Sequence, residues 1–221
     1  MSNLWFTADT HEGHGNIIKY CGRPFKDTEE QHAVMVKNFN ARVKPEDTVI
    51  CNGDYCFKNS AGGKKGEGTT RKASDWQKDY VGNWIYVKGN HDGNNSLKTP
   101  IEKMYLYFGG KYICVVHNPV HADPKVEINI VGHIHTEWKV RRLNSKSIMV
   151  NVGVDAWGFK PVSFDEIMKR IAEFKRNELQ KSITIPTKEK RSSRDRQGNI
   201  EQSETPQELQ SKEVGEQVVE G

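Results

Sequence analysis

Five short apolar runs in this 221-residue chain are each followed within three residues by Asp, Asn or His. The runs are rich in β-branched and aromatic residues, which is typical of buried strands. They lie at 4–8, 48–51, 84–87, 112–116 and 128–131, and a sixth run of the same kind lies at 148–152. Loops at the carboxyl ends of strands in α/β sheets converge over one crevice, so we expect the polar residues to meet there. The pattern predicts an α/β or α+β protein with a substantial sheet.

The residues at these strand ends are carboxylates, one amide and several imidazoles, with no thiolate among them. Such ligands suit Mn, Fe, Zn, Ni or Co better than Ca or Mg. A single Asp-x-His at a strand end is usually a cap or a turn, but five polar clusters in one chain are improbable by chance. Their number exceeds what one ion takes, so two ions sharing a carboxylate are expected, an arrangement suited to displacement at phosphorus.

Two helices are predicted from capping and apolar spacing. Ser163 and Glu166 form a capping box ahead of apolar residues with helical spacing, and a second helix is expected over 28–43.

Two segments account for most of the polarity of the chain. Residues 181–221 contain no aromatic residue, Cys or Met and are rich in Ser, Gln and charged residues. They are predicted to form a disordered polar tail after a folded domain over 1–180, since little in them can be buried. Residues 58–79, rich in Gly and Lys, are predicted to form a flexible basic loop within that domain.

Composition excludes several classes of protein. No apolar run approaches the roughly 18–20 residues of a membrane span, and the first residues carry no basic region typical of a secretory signal. The four cysteines form no CxxC pair, and the net charge of +4 is mild. We expect a cytoplasmic protein with no membrane partner.

The order of the polar motifs resembles the calcineurin-like metallophosphoesterase superfamily over about residues 3 to 170. The stretches 7–14, 151–155 and 160–163 are similar to its small single-domain members from bacteria and phages, which would place a phage-encoded chain in the host cytoplasm. The motifs that carry the resemblance are Asp9-x-His11, Gly53-Asp54, Gly89-Asn90-His91-Asp92, His117 and Gly132-His133-x-His135.

The resemblance implies a four-layer α-β-β-α sandwich of two mixed sheets with helices on the outer faces. It also implies two divalent transition-metal ions, with a hydroxide bridging them as the nucleophile. Mn is the favoured metal, and Fe, Zn, Ni and Co are the alternatives. His91 would be the general acid that protonates the leaving oxygen, and Asp92 would orient it. Asp54 would bridge the ions, and the remaining ligands would be Asp9, His11 and His135 for one ion and Asn90, His117 and His133 for the other.

The chain departs from the family where many members carry an Arg shortly after the bridging Asp. Here Lys58 is the nearest cation after Asp54, so it is a candidate for binding the substrate, as is His14. His32 is expected to face solvent and His121 to lie in a turn. Two tryptophans, Trp138 and Trp157, are expected either to pack in the core or to line a pocket.

The favoured function is a phosphodiesterase acting on a nucleotide-like small molecule, although a phosphomonoester substrate stays open. A metallonuclease ranks lower, because the chain has no recognisable nucleic-acid-binding module. Two further hypotheses are a non-catalytic binding protein on the same fold and a different binuclear hydrolase, such as an amidohydrolase. The complete ligand set and His91 argue against the binding protein, and the Gly-Asn-His-Asp element argues against the amidohydrolase.

Overall fold

The computed structural model describes residues 3–56, 71–92, 96–97 and 99–184, which contain two mixed β-sheets. Strands and helices are numbered in chain order. The first sheet has the order β3-β2-β1-β9 and consists of β1 (Leu4–Thr7), β2 (Thr48–Asn52), β3 (Asn83–Val87) and β9 (Val162–Ser163). The second has the order β4-β5-β6-β8-β7 and consists of β4 (Lys103–Phe108), β5 (Lys111–Val116), β6 (Ile128–Val131), β7 (Val140–Arg142) and β8 (Ile148–Asn151).

The central strands of both sheets are parallel. β1, β2 and β3 run in one direction in the first sheet, and β5, β6 and β8 do so in the second. The outer strands β9, β4 and β7 pair antiparallel with their neighbours. The carboxyl ends of the parallel strands in each sheet therefore lie at one edge, as predicted.

The main hydrophobic core lies between the sheets and includes Phe6, Ile50, Ile113 and Ile130, all nearly inaccessible to solvent. Along the chain, Ile113 and Val115 of β5 join this core, while Cys114 and Val116 join a second cluster on the outer face. This alternation follows from the two-residue period of a strand.

Helix α4 (Phe164–Thr184) contacts strands of both sheets, namely β1 and β9 of the first and β7 and β8 of the second. Ile167 and Ile171 on its apolar face belong to the core between the sheets. The predicted capping box is confirmed: the Glu166 amide donates to Ser163 Oγ at 3.2 Å, and the Ser163 amide donates to Glu166 Oε2 at 2.9 Å.

The outer face of the first sheet is covered by α2 (Thr28–Asn40) and α3 (Ala73–Gln77). An aromatic cluster fills this layer and includes Phe39 of α2, Trp76 of α3 and Tyr55 after β2. A short helix α1 (Gly15–Tyr20) precedes α2. The predicted α/β fold with two mixed sheets is confirmed.

The structure adds elements that the apolar runs did not predict, and it shortens others. Strands β4, β7 and β9 were not predicted, and α2 ends at Asn40 rather than at residue 43. The basic loop predicted over 58–79 is not a loop throughout, because it contains α3 with Trp76 fully buried.

Further predictions on domain organisation lie partly outside the described residues. Lys58, residues 57–70 and residues 185–221 are among those outside, so the polar tail stays a prediction. Helix α4 continues to Thr184, past the boundary expected at residue 180. None of the described helices is long and apolar enough to cross a membrane.

Candidate metal centre

All seven predicted ligands follow strands whose carboxyl ends meet where the two sheets adjoin. Two pairs of side chains show how closely they approach each other. His117 Nε2 lies 3.1 Å from Asp54 Oδ2, and His133 Nδ1 lies 2.9 Å from Asn90 Oδ1. Ligand atoms of Asp9, His11 and His135 lie within 4.8 Å of one another, as do those of Asp54, His117 and His133. Each of these two groups consists of residues predicted to bind one of the two ions.

The backbone adopts the left-handed conformation at five of the seven predicted ligands. Residues other than glycine rarely have positive φ, and such conformations are often found at functional sites. The φ angles are 58° at Asp9, 51° at His11, 53° at Asp54, 74° at His133 and 46° at His135. Of the described non-glycine residues, only Phe159 also has a positive φ. The fold thus retains unfavourable backbone conformations at the residues whose side chains converge at the site.

Glycines give the ligands room to approach. A Cβ on Gly89 would lie 2.1 Å from Asp54 Oδ1, and one on Gly53 would lie 2.3 Å from His117 Nδ1. Both contacts are far shorter than side chains tolerate. The Gly-Asp and Gly-Asn-His-Asp motifs therefore need glycine because the carboxylate and the imidazole occupy the space of the missing Cβ atoms.

Hydrogen bonds orient two of the imidazoles. His117 Nδ1 donates to the carbonyl of Asn52 at 2.8 Å, and His135 Nδ1 donates to Asp155 Oδ2 at 2.8 Å. Each bond places the proton on Nδ1 and leaves the Nε2 lone pair for a metal ion. His11 Nε2 is buried and has no hydrogen-bond partner, which is costly for a ring nitrogen unless a ligand binds it. These observations fit a metal centre.

The electrostatics of the site are set by buried carboxylates and imidazoles that lie close together. Burial raises the pKa of Asp9 to about 6. Burial would also raise the pKa of Asp54, but the hydrogen bond from His117 and its charge lower it. Burial lowers the pKa of His11 well below its usual value, so this imidazole is neutral, as a metal ligand must be.

The same carboxylates hold a proton on His117. Burial opposes its charged form, yet the hydrogen bond to Asp54 and the charges of Asp9 and Asp54 raise its pKa to about 9. A bound cation would take over the role of this proton, since it balances both carboxylates directly.

Arg23 and Asp155 form a buried ion pair behind the predicted ligands. Neither residue was predicted from the sequence to support the site. Arg23 forms a bidentate ion pair with Asp155 at 2.8 Å and donates to the carbonyls of Asp9 and Thr10 at 2.7 and 3.0 Å. Asp155 also holds His135. Arg23 and Asp155 are 132 residues apart, and no local pattern marks a buried arginine in the turn after α1.

The predicted general acid and its partner lie beside the ligands. The His91 amide donates to Asp54 Oδ1 at 2.8 Å, and the His91 ring centroid lies 5.1 Å from that of His11. Asp92 accepts hydrogen bonds from the backbone amides of Gly89, Asp54 and Tyr55. Asp92 therefore holds the loops after β2 and β3 together, and its predicted orientation of His91 stays a prediction.

The remaining histidines differ in how well they were predicted. His14 is buried with its Nδ1 3.4 Å from His11 Nδ1, so it lies beside a predicted ligand, and its substrate role stays a prediction. The prediction that His32 faces solvent is wrong: it is buried between Glu12 and Asp79, at 3.1 and 2.9 Å. His121 is exposed at the end of a 3-10 helix over Pro119–His121.

The two tryptophans pack against the protein. Trp138 joins the outer cluster of the second sheet, and Trp157 packs against the main core and donates to the carbonyl of Asn151 at 2.7 Å. Cys56 is buried and forms no disulfide, whereas Cys21 lies next to His135 and Asp155 at the edge of the site.

Comparison with known proteins identifies the family. Residues 2–117, which include the motifs from Asp9 to His117, match the family model described as calcineurin-like phosphoesterase. An uncharacterized protein of Methanocaldococcus jannaschii is 34% identical over 183 residues, with 79% of this chain and 94% of the relative covered. The Gene 66 protein of Mycobacterium phage L5 is 29% identical over 205 residues, with 76% and 93% covered.

A solved structure has a similar fold. The protein of unknown function AQ665 from Aquifex aeolicus has a TM-score of 0.58 and 25% identity, with 76% of this chain and 99% of that chain covered. The phage relative supports the expected resemblance to phage proteins. By its matched motifs and its two-sheet fold, the chain belongs to the calcineurin-like phosphoesterase family.

Proposed function

We propose that the protein is a phosphodiesterase that uses two divalent metal ions to hydrolyse a nucleotide-like small molecule. Mn is the metal we favour. The observation that carries the proposal is the convergence of all seven predicted ligands, five of them at left-handed backbone positions. Such strain is normally lost unless a function retains it. Family membership supports hydrolysis of a phosphoester, and the ion pair and hydrogen bonds behind the ligands support a rigid metal centre.

Each residue of the site has one part in this proposal. The two ions, when bound, lower the pKa of a water molecule and balance the charge that develops at phosphorus. Asp54 would hold both ions, and His91 would donate a proton to the leaving oxygen of the ester. Asp9, His11 and His135 would hold one ion, and Asn90, His117 and His133 would hold the other.

His91 suits the role of general acid by its position. Its amide is tied to Asp54, so the residue cannot move away from the ions, while its ring lies against those of His11 and His14. The ring atoms also lie within 4.8 Å of ligand atoms of His11 and Asp54. A phosphoryl group bound to both ions would therefore lie within reach of this imidazole.

We place the activity in a reducing compartment such as the cytoplasm. Cys51, Cys56 and Cys114 are buried, Cys21 lies beside the site, and none of these four described cysteines forms a disulfide. Structural disulfides, by contrast, are common in secreted proteins. The proposed partner is a small phosphorylated molecule rather than nucleic acid or a membrane.

The test is hydrolysis of bis-p-nitrophenyl phosphate and p-nitrophenyl phosphate by the Mn²⁺-loaded protein. We expect Mn²⁺-dependent turnover, faster for the diester. Asp54→Asn should lower kcat by at least about a hundredfold, the upper end of what losing a group behind a metal ligand costs. The control Asp165→Asn, an exposed carboxylate on α4, should match the wild type. If the folded, metal-loaded wild type hydrolyses neither ester, the protein is a binding protein on this fold.

A further inference from the structure

Two cavities of different chemistry flank the metal centre. The first, of about 450 Å³, lies beside α1 and is lined in part by Ile17, Tyr20 and Ile134. The second, of about 290 Å³, adjoins the predicted ligands Asn90 and His117 and is also lined by Lys88 and His121. A phosphodiester carries two substituents on its phosphorus. A centre between two cavities can accommodate one substituent in each.

The first cavity, here called the α1 cavity, offers apolar and aromatic surface. Ile17 is buried at its base, and Tyr20 stands at its mouth with 73% of its surface exposed. The Tyr20 ring is perpendicular to that of His14, with centroids 6.4 Å apart. An exposed tyrosine beside a cavity offers a flat face on which an aromatic group can stack at little entropic cost.

The second cavity, here called the β4-side cavity, is more strongly charged. Lys88 and Glu102, which form an ion pair at 3.4 Å, line it together with Asn118 and His121. These groups favour a polar substituent that can exchange hydrogen bonds with them. The two cavities therefore do not favour the same kind of group.

The position of His91 distinguishes the two cavities for the reaction. His91 is in the wall of the α1 cavity, together with His133 and His135. The oxygen that a general acid protonates belongs to the leaving group. The substituent in the α1 cavity is therefore the one whose oxygen His91 can reach.

We infer that the α1 cavity receives the leaving group of the ester, that this group is aromatic or similarly apolar, and that Tyr20 selects it by stacking. The inference rests on the proposed phosphodiesterase function. Glu137, which also lines the α1 cavity, supports an uncharged leaving group. Its carboxylate would repel a second anionic group on the substituent bound there.

The first test measures binding without turnover. Calorimetry compares phenylphosphonate with methylphosphonate on the Mn²⁺-loaded protein, since neither can be hydrolysed as an ester. We expect the phenyl compound to bind about tenfold more tightly, the gain expected from burying part of one ring. Tyr20→Ala should remove most of this preference, and Tyr20→Phe should keep it. The control His121→Ala removes an exposed ring from the β4-side cavity and should leave the preference intact.

The second test fixes which arm leaves. In methyl p-nitrophenyl phosphate only the aryl group is a good leaving group. Tyr20→Ala should raise KM for it by about three- to tenfold, the range of one aromatic contact. The control Tyr107→Ala removes an equally exposed tyrosine on β4, outside the lining of both cavities, and should leave KM unchanged.

The inference is overturned if the wild type shows no phenyl preference, if Tyr20→Ala leaves it unchanged, or if the control variant has the larger effect in either test. A phenyl preference that depends on Tyr20, in a protein that hydrolyses no ester, would overturn the proposed function and leave the aryl site standing.

Discussion

The two sheets contribute different chemistry to the one site. The first sheet provides both ligand carboxylates and the amide, from Asp9, Asp54 and Asn90, with a single imidazole from His11. The second sheet provides imidazoles only, from residues 117, 133 and 135. A carboxylate cluster alone would repel itself, and an imidazole cluster alone would not balance two divalent ions. The proposed centre therefore needs groups from the edges of both sheets, and its geometry depends on the groups that hold those edges together.

Arg23 is a buried link between the edges. It donates to the carbonyls of Asp9 and Thr10, which follow β1, and it pairs with Asp155, which follows β8 and holds His135. Its side chain is fully buried. A buried arginine with four polar partners is a costly choice unless it maintains a fixed geometry.

The largest effect should follow from breaking this link. Arg23→Met removes the guanidinium that pairs with the buried Asp155 carboxylate, so we expect a loss of about 3–5 kcal/mol in the free energy of unfolding. Urea unfolding measures it. Arg42→Met is the matched control, since Arg42 forms a bidentate pair with Glu166 that is partly exposed and should cost under about 1 kcal/mol. Equal losses in the two variants would contradict a special role for Arg23.

A smaller effect is expected on metal affinity, and it should distinguish an imidazole held by a side chain from one held by the backbone. His135 depends on a side chain, Asp155, whereas His117 is held by the backbone carbonyl of Asn52. Asp155→Asn should weaken binding of the ion at His135 by about 10–100-fold and leave the ion at His117 nearly unaffected. Titration of the metal-free protein with Mn²⁺ measures both steps. Equal weakening of both ions would mean that the two sites are not independently supported.

The smallest effect concerns pH and lies outside the metal centre. Burial opposes the charged form of His32, but the hydrogen bond to Glu12 and its charge raise the pKa. A raised pKa in the folded state means that protonated His32 stabilises the protein fully below about pH 6.5 and loses this contribution as pH rises through the raised value. The difference in unfolding free energy between wild type and His32→Gln, about 1 kcal/mol at pH 6, should shrink by pH 9. If the difference in unfolding free energy between wild type and His32→Gln did not change with pH, protonated His32 would not be the source of the stabilisation.

Much of the site could be predicted because its signals are local. Each predicted ligand follows a short apolar strand, and Gly53 and Gly132 directly precede the predicted ligands Asp54 and His133 in the sequence. The capping box of α4 likewise spans four residues. Local patterns of this kind can be read without knowing what packs against them.

The rest depended on contacts between distant residues. His32 appeared polar and exposed because its helix is polar, but Glu12, 20 residues away, gives it a buried partner. Strand β4 carries exposed tyrosines at alternate positions, 105 and 107, so it lacks the apolar run that marked the other strands. Arg23 has no local signal at all, since its role is defined by Asp155.

The measurement that tests the central claim most directly is the number and coupling of metal ions in the protein. Metal-free protein loaded with Mn²⁺ and freed of excess ion should contain two ions per chain, with an electron paramagnetic resonance spectrum of a magnetically coupled pair. Asp54→Asn should lose the coupling, because this carboxylate lies between the two groups of ligands. One ion per chain, or two ions with no coupling in the wild type, would contradict a shared centre built from both sheets.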